Sequence, residues 1–489
     1  MTRGNRSPRG LRLGRRIRSL RRRQGMTQAR LAEHLGISAS YLALIEHDRR
    51  PVSAELLVRL ARVFELDLAA LAGEDDERLA ADLLEVFGDP GLDSPEITRD
   101  EVLDLVSSHP AIARLVLRLY QAYRGAREAG EALASRLSDG QEHADLAAAR
   151  LPSEEVTDLI QRHENHFPTL EEAAERLWVD ADLDREELFG RLARHLDRRF
   201  GVRVRIEKVA RMGRAVRRFD PVRRELTLSE VLRRGSRNLQ LAHQIGLLSL
   251  GAELDRIASD TRLTTPASRT LCRIALANYF AAAVVMPYEV FLDDCRETRW
   301  DIELLGHRFR AGFEQVCHRL TTLKRPGREG IPFFFVRIDI AGNISKRFGT
   351  GSVRFPRFSG LCPRWNVHAA FLTPERVNVQ LATMPDGGSW LMIARTLPKQ
   401  GGGYRAPVAV HAVGVGCEVR WARELVYADG LDPADPAATV PVGVTCRLCE
   451  REDCAQRAFP SLRTTLQIDP NVRGQSFFAP VDPGPRGEA

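Results

Sequence analysis

Three cysteines near the C-terminus have a spacing that suits metal chemistry. Cys446, Cys449 and Cys454 form a C-x2-C-x4-C cluster, and its flanking Arg, Glu and Asp residues belong at a protein surface. Soft thiolates at this spacing suit zinc or an iron–sulfur cluster, and the iron–sulfur cluster is the favoured prediction. Cys362 or Cys417 could supply a fourth ligand. A thiol switch without metal is the alternative interpretation.

A second motif, in residues 239–251, has the outline of a zinc-binding helix. A zinc peptidase needs His-Glu-x-x-His, in which two histidines one turn apart hold the metal and the glutamate activates water. Here His243 is kept, Gln244 replaces the glutamate and Leu247 replaces the second histidine. Neither replacement can do the chemistry of the residue that it replaces.

A later segment, residues 276–282 followed by Met286-Pro287, is similar to the second helix of the peptidases attached to phage-repressor-type domains in bacteria. That helix normally supplies an acidic third ligand, and Leu276 stands at its position. The resemblance therefore implies a zincin-like fold without activity. We predict no zinc at His243 and no enzyme.

Residues 11–72 show the pattern of a helix-turn-helix. Thr27 and Ser38 occupy the positions expected for helix N-caps, one before each helix of the pair. Gly36 occupies the turn, where a positive φ is tolerated without a Cβ clash. Residues 25–28 (Gly-Met-Thr-Gln), followed by Leu31-Ala32, resemble the usual opening of this motif in the phage-repressor-like family of bacterial regulators. We predict that the segment binds double-stranded DNA rather than a protein.

The helix that begins at Ser38 is the predicted recognition helix. Its first residues would face base edges and phosphates, while Gln28 would contact the DNA backbone. The N-terminal segment contains many arginines and no acidic residue before Glu33, which favours phosphate contacts. The predicted DNA-binding residues are Gln28, Ser38, Ser40, Tyr41, Arg49 and Arg50.

The bulk composition sets limits on the class of protein. A chain of 489 residues with a net charge of +7 is long enough for several domains and is not a polyelectrolyte throughout. Arginine dominates, and only four lysines occur. The N-terminus lacks an apolar signal segment, and the longest nearly apolar run, residues 274–287, is too short to span a bilayer. We expect a cytoplasmic protein with no membrane segment.

The order of elements predicts a multidomain α+β protein. The expected parts are an all-α helix-turn-helix domain, a helical linker, a zincin-like α+β middle domain and a mixed α/β C-terminal sensor domain. Leu115, Leu119 and Tyr123 recur at helical spacing in the linker, where they could form a homodimer seam or ordinary packing. The predicted boundaries are residues 1–73, 74–150, 151–325 and 326–479, with a disordered tail at 480–489.

Periodicity predicts the main elements of the last three parts. Helical patterns with possible breaks at Pro90 and Pro110 cover residues 79–151. Strands are predicted at residues 202–206, 225–228, 333–339 and 409–415, and helices at 238–250, 270–286 and 300–323.

The chain as a whole resembles the short-chain fatty acyl regulators of actinobacteria and proteobacteria, which include regulators of propionate and acetate catabolism. The resemblance extends nearly end to end. It rests on residues 332–335, 339–347, 360–368 and 426–430, together with the cysteine cluster.

This resemblance implies a transcription factor that senses a short-chain acyl-CoA in its C-terminal domain, with an iron–sulfur cluster in some members. A CoA ligand needs cations for its phosphates and an apolar channel for its acyl arm. The candidate ligand-binding residues are Lys346, Arg347, Arg364, Lys399 and Arg405.

Two alternatives stay open at this point. One is an active metallopeptidase fused to a helix-turn-helix, against which the replaced ligands argue. The other is a regulator whose signal is oxidants or iron status, without an acyl ligand.

Overall fold

The fold is described from a computed structural model. The described residues are 14–47, 49–50, 52–64, 74–89, 92, 97–138, 152–349, 353, 355–356, 360–400, 406–432, 435–446, 449–451 and 454–459. They belong to two compact units, one that includes residues 14–138 and one that includes residues 152–349 and 360–459. Residue Arg405, the break at Pro90 and the tail at 480–489 lie outside the described residues.

The N-terminal unit is all helical, as predicted. Its first part buries the apolar stripe that includes Ile17, Leu31, Leu42, Ile45 and Leu60. The helices of this unit are α1 (Gly14–Arg23), α2 (Gln28–Leu35), α3 (Ala39–Glu46), α4 (Ala54–Phe64), α5 (Glu74–Phe87), α6 (Arg99–Ser108) and α7 (Pro110–Ser138).

The linker forms a second small core in the same unit. Leu83, Val102, Val106 and Ala113 are buried there together. A capping box starts α6, in which the Thr98 hydroxyl accepts from the Glu101 N–H at 3.3 Å. The predicted break at Pro110 is confirmed, because α7 begins there.

The second unit begins with helices around a three-stranded sheet of order β1-β3-β2, in which β1 runs parallel and β2 antiparallel to β3. The predicted strands at 202–206 and 225–228 are confirmed within one residue. The elements are α8 (Pro152–Arg162), α9 (Pro168–Asp180), α10 (Leu188–Phe200), β1 (Arg203–Glu207), α11 (Val209–Met212), β2 (Arg217–Asp220), β3 (Glu225–Ser229), α12 (Arg234–Ser249), α13 (Gly251–Ala258), α14 (Pro266–Val285), α15 (Tyr288–Glu297), α16 (Ile302–Arg308) and α17 (Phe313–Leu320).

Helices α12 and α14 cross closely at Gly246. A Cβ at this position would lie 2.7 Å from the Phe280 ring, so only glycine allows this approach. The helix predicted over residues 300–323 is interrupted, since Arg310 adopts a positive φ of 50° between α16 and α17.

A fully buried ion pair ties three of these helices together. Arg319 of α17 donates to both carboxylate oxygens of Glu171 in α9, at 2.5 and 2.9 Å, and Tyr279 of α14 donates to Glu171 at 2.6 Å. Burial alone would raise the pKa of Glu171, but the charge and hydrogen bonds of Arg319 hold it below its usual value. The pair therefore stays charged inside the core.

The C-terminal part of the second unit is a six-stranded sheet of order β5-β4-β8-β7-β6-β9. All neighbouring strands are antiparallel except β6 and β9. The predicted strands at 333–339 and 409–415 are confirmed. The elements are β4 (Phe334–Ile338), β5 (Ile344–Phe348), α18 (Asn366–Ala369), β6 (Asn378–Thr383), β7 (Ser389–Gln400), β8 (Val408–Glu418) and β9 (Thr439–Pro441).

The two faces of this sheet belong to different cores. Phe335 of β4 packs into the large core shared with the helices, whereas its neighbour Phe334 packs with Trp365 and Trp390 on the other face. This follows from the period of two, which sends successive side chains to opposite faces. The sheet thus has a helix-covered face and an opposite, tryptophan-lined face.

In the described part of the chain, no single helix is long and apolar enough to cross a bilayer. The pair α14 and α15 passes the same test of length and composition, with a bend of 62° between the two helices.

Candidate functional sites

The predicted recognition helix α3 has the expected local structure. Ser38 is its N-cap and accepts from the Tyr41 N–H at 3.1 Å, and Thr27 caps α2 in the same way through Arg30. Gly36 ends α2 with φ 66°. Ser38, Ser40 and Tyr41 are exposed, so the start of α3 is available to a partner.

Gln28 has an internal partner in addition to its predicted role. Its amide donates to Glu46 at 2.7 Å, and Arg21 donates to the same carboxylate at 2.6 and 3.0 Å. Burial alone would raise the pKa of Glu46, but these hydrogen bonds hold it below its usual value. Arg21 belongs to the N-terminal run of arginines predicted to contact phosphates, but it is buried against Glu46, a residue that sequence reasoning missed. This pair fixes α1 against α3.

Arg49 and Arg50 follow α3 and are exposed. Their positions are compatible with phosphate contacts, and the DNA-binding role of all six residues stays a prediction.

At the peptidase-like position, no group of three or more potential metal ligands includes His243 among the residues that the structure describes. The His243 ring is buried, and its Nδ1 lies 2.8 Å from Asn278 Oδ1. Burial, then the Arg217 charge, lowers the pKa of His243 to about 4, so it is neutral. Gln244 accepts a hydrogen bond from Arg217 at 2.8 Å, where a peptidase glutamate would activate water. The Gln244 side chain, at the position of the catalytic glutamate, is therefore bound by the Arg217 guanidinium.

The two remaining ligand positions of the peptidase pattern, Leu247 and Leu276, have apolar surroundings. Leu276 is fully buried in the core formed by α8, α9, α13 and α14, and Leu247 packs against this core.

Two of the candidate ligand-binding residues, Lys346 and Lys399, come together on the helix-covered face of the C-terminal sheet. Arg337 joins them as the direct cross-strand neighbour of Lys346. Glu314 of α17 binds Arg337 at 2.6 Å and Lys399 at 3.0 Å. The Phe335 and Phe348 rings lie beneath the Lys346 ammonium, at 5.9 and 5.5 Å. We call Arg337, Lys346 and Lys399 the cation cluster.

The remaining candidates lie elsewhere. Arg347 pairs across the strands with Val336, which belongs to the other face, and it binds Glu154 at 2.5 Å. Arg364 is half-buried beside Trp365, and its carbonyl accepts from Gln380 at 3.0 Å. Sequence reasoning did not select Arg337, although its alternation with the phenylalanines of β4 places it on the helix-covered face.

The cysteines separate by position. Cys362 accompanies the C-terminal cluster, because its N–H donates to Val444 at 2.9 Å and because burial first, then Cys446 and Cys449, raise the pKa of its thiol. Cys417 is buried in the large core on the helix-covered face, away from the face of Cys362.

Arg457, which sequence reasoning did not select, binds the backbone of the segment that carries Cys446 and Cys449. It is buried and donates to the Cys446 and Cys449 carbonyls, both at 2.9 Å. Cys449 is buried, while Cys446 and Cys454 are half-buried. Within the described residues, no group of three or more His, Cys, Asp or Glu side chains has an arrangement that could hold a metal ion.

The helix-turn-helix and its capping define a DNA-binding transcriptional regulator. Residues 12–72 match a helix-turn-helix domain, 197–321 match an IrrE N-terminal-like domain, and 322–478 match the short-chain fatty acyl coenzyme A regulator C-terminal domain.

Relatives of this chain match it over nearly its whole length. The HTH-type transcriptional regulator RamB of Mycobacterium tuberculosis is 41% identical over 94% of this chain and 96% of its own length. The propionyl-CoA carboxylase regulator of Cereibacter sphaeroides is 40% identical over 96% and 98%. A solved M. tuberculosis transcriptional regulator, 41% identical, superposes with a TM-score of 0.65 over 68% of this chain and 100% of that one. The chain belongs to the short-chain fatty acyl-CoA regulator family. Its relatives are named as regulators rather than peptidases, in agreement with the prediction of no enzyme.

Proposed function

We propose that this chain regulates genes of short-chain fatty acid metabolism, such as propionate or acetate use, by binding operator DNA and a short-chain acyl-CoA. The observation that carries the effector proposal is the cation cluster beside two phenylalanine rings. The expected place of action is the cytoplasm.

The cation cluster has the chemistry that a CoA thioester requires. In the described part of the chain, Arg337, Lys346 and Lys399 share the carboxylate of Glu314, so positive charge remains for phosphate groups. Phe335 and Phe348 offer apolar surface for the pantetheine or acyl part. Arg364 and Arg405 remain candidates for phosphate contacts outside this cluster, and Arg347 is a weaker one because Glu154 already binds it.

A bound effector regulates only if it has different affinities for the DNA-competent and DNA-incompetent states. The helix-turn-helix and the cation cluster belong to different compact units, so the two binding events can be measured separately.

Calorimetric titration with propionyl-CoA and acetyl-CoA tests the effector. We expect saturable binding by the full chain, and Lys399→Ala should weaken it about tenfold or more, as expected for a lost charged hydrogen bond. Lys208→Ala, which removes an exposed lysine remote in sequence, is the matched control and should bind normally. If neither thioester binds under reducing, anaerobic conditions, the effector proposal fails and the redox or iron-sensing alternative takes its place.

We also propose that the chain acts as a homodimer through α7. Ile112, Leu115, Leu119 and Tyr123 are between 40 and 61% exposed along one stripe of that helix, whereas Ala113 and Leu117 face its own core. A helix-turn-helix reads two half-sites as a pair. A second copy of the chain would bury this stripe.

The third proposal concerns the cysteines. Cys446, Cys449 and Cys454 fit an iron–sulfur cluster in donor type, and Cys362 is the better candidate than Cys417 for the fourth ligand. Such a cluster would supply a redox-sensitive centre, and zinc is the alternative occupant. The proximity of Cys362 to Cys446 and Cys449 is also the observation that favours the second candidate function, sensing of oxidants or iron.

Elemental analysis of anaerobically prepared protein tests this assignment. We expect iron and sulfide, lost in Cys446→Ser and reduced in Cys362→Ser, because each variant removes a thiolate ligand. Cys417→Ser should retain both elements. Zinc without iron would replace the cluster by a structural zinc site, and neither metal would leave the thiol switch.

A further inference from the structure

Lys346 has unusual surroundings for a lysine. It lies on β5, the edge strand of the C-terminal sheet, and is half-buried between the sheet and α17. In the described part of the chain, its ammonium has no ion pair or hydrogen bond, and the Phe335 and Phe348 rings lie beneath it at 5.9 and 5.5 Å. The nearby carboxylate, Glu314, is already bound by Arg337 and Lys399.

The titratable groups around Lys346 come from every element packed on this face. Glu314 and His318 of α17, Arg337 of β4 and Lys399 of β7 interact electrostatically with Lys346, and His411 of β8 interacts with Arg337, Lys399 and Glu314. Burial lowers the pKa of Lys346 to about 8, and the Arg337 and Lys399 charges act in the same direction against Glu314. Burial also lowers the pKa of His318 and of His411, so neither adds a charge near neutral pH.

We propose that Lys346 is an acyl acceptor, whose ε-amine takes the acyl group from a short-chain acyl-CoA held at the cation cluster. The proposal rests on the effector function above and adds a covalent step to it. The uncharged amine attacks the thioester carbonyl carbon, a C–N bond forms and the C–S bond breaks. The products are an Nε-acyl-lysine and free CoA, with the amine proton passing to the departing thiolate. No oxidant or further reactant is needed.

The surroundings favour this step at Lys346 over the other three lysines. Near pH 7.5, an amine with a pKa of about 8 is uncharged in roughly a quarter of molecules, on the order of a hundredfold more than an ordinary lysine. Arg337, the cross-strand neighbour of Lys346, is placed to stabilise the negative oxygen that develops on the carbonyl. Lys399 lies three strands from Lys346, which leaves it for a phosphate group. By contrast, Lys399 and Lys324 are ion-paired with Glu314 and Glu164 at 3.0 and 3.4 Å. Lys208 is exposed and outside the cluster.

Acylation would change the site that it uses. The Lys346 positive charge is lost and the acyl chain lies against the phenylalanine rings. A second CoA thioester would then meet a less positive cluster. Because the amide bond is covalent, the modification would persist after the free acyl-CoA has been consumed.

The test is incubation of the full-length protein with propionyl-CoA or acetyl-CoA, followed by intact mass and peptide mapping, with binding measured in parallel by calorimetry. We expect one acyl group per chain, at Lys346 and at least tenfold above each other lysine. The rate should rise with pH through the pKa of about 8 and level roughly one pH unit above it, since the uncharged amine is the nucleophile. Lys346→Arg should abolish the labelling, and Lys208→Arg should leave it at Lys346.

Saturable binding without labelling of Lys346, or labelling spread evenly over the four lysines, would overturn the acyl-acceptor proposal while leaving the effector proposal intact. Absence of binding would instead reject the effector. Peptide mapping of the labelled wild-type protein locates the acyl group even if the Lys346→Arg variant folds poorly.

Discussion

Arg319→Met should lower the free energy of unfolding of the second compact unit by roughly 3–5 kcal/mol, the cost of leaving one buried charge without its partner. Arg319 is fully buried and Glu171 nearly so, and their two hydrogen bonds join α17 to α9. Without the guanidinium, Glu171 remains charged in an apolar core or takes up a proton. Urea denaturation followed by circular dichroism measures the change.

The loss should depend on pH in a definite direction. In the intact protein the pKa of Glu171 is depressed, so the pair stabilises the fold above the usual glutamate pKa of about 4.3 and loses this effect as pH falls through the folded-state value. In Arg319→Met the buried, unpaired carboxyl has a raised pKa, and its penalty disappears in acid. The difference between the two proteins should therefore begin to shrink as pH falls through the raised pKa of the variant, above about 4.3, and should shrink further below about pH 4.3 as the intact pair is lost.

The double variant Glu171→Leu/Arg319→Met separates the unpaired charge from lost packing. It should recover much of the stability, because an apolar replacement of both partners removes the uncompensated charge. An equal loss in the single and double variants, independent of pH, would show that packing rather than charge is responsible. Arg256→Ala, which breaks an exposed pair with Glu253, should have little effect.

The double variant Ser40→Glu/Tyr41→Glu should abolish sequence-specific operator binding, with affinity lowered at least about a hundredfold. These exposed side chains stand at the start of α3, where carboxylates would face phosphates, and like-charge contacts cost several kcal/mol. Tyr41→Ala alone should have a smaller effect, about 1–3 kcal/mol. Gel shifts on promoter fragments at two salt concentrations measure both, and binding should fall steeply with salt.

The matched control is Val179→Glu, which adds a single negative charge at an exposed position of the second unit and should bind DNA normally. The stoichiometry of the complex should be two chains per operator, on half-sites about one helical turn apart. Binding that survives deletion of residues 1–72 would contradict the assignment of the DNA-binding domain.

Sequence alone predicted the features that depend on neighbours a few residues apart. The N-caps Thr27 and Ser38 and the turn at Gly36 are local, because each is a hydrogen bond or a backbone angle within one turn of helix. The loss of peptidase chemistry at Gln244 and Leu247 could also be predicted, since it depends on residue type. The break near Arg310 was missed, because a positive φ at an arginine carries little sequence signal.

Only the tertiary structure decided which distant residues share a site. Lys346 and Arg347 are adjacent in sequence but leave β5 on opposite faces, and strand register brings Arg337 and Lys399 to the first of them. Cys362 and Cys417 are also separated, because Cys417 of β8 faces the large core whereas Cys362, in a loop, packs into the core on the opposite face of the sheet. Short-range patterns specify helices, caps and strand alternation, whereas strand pairing across tens of residues depends on packing of the whole core. The sequence of this protein thus determined its DNA-binding helices and family, and the sheet register determined the cation cluster.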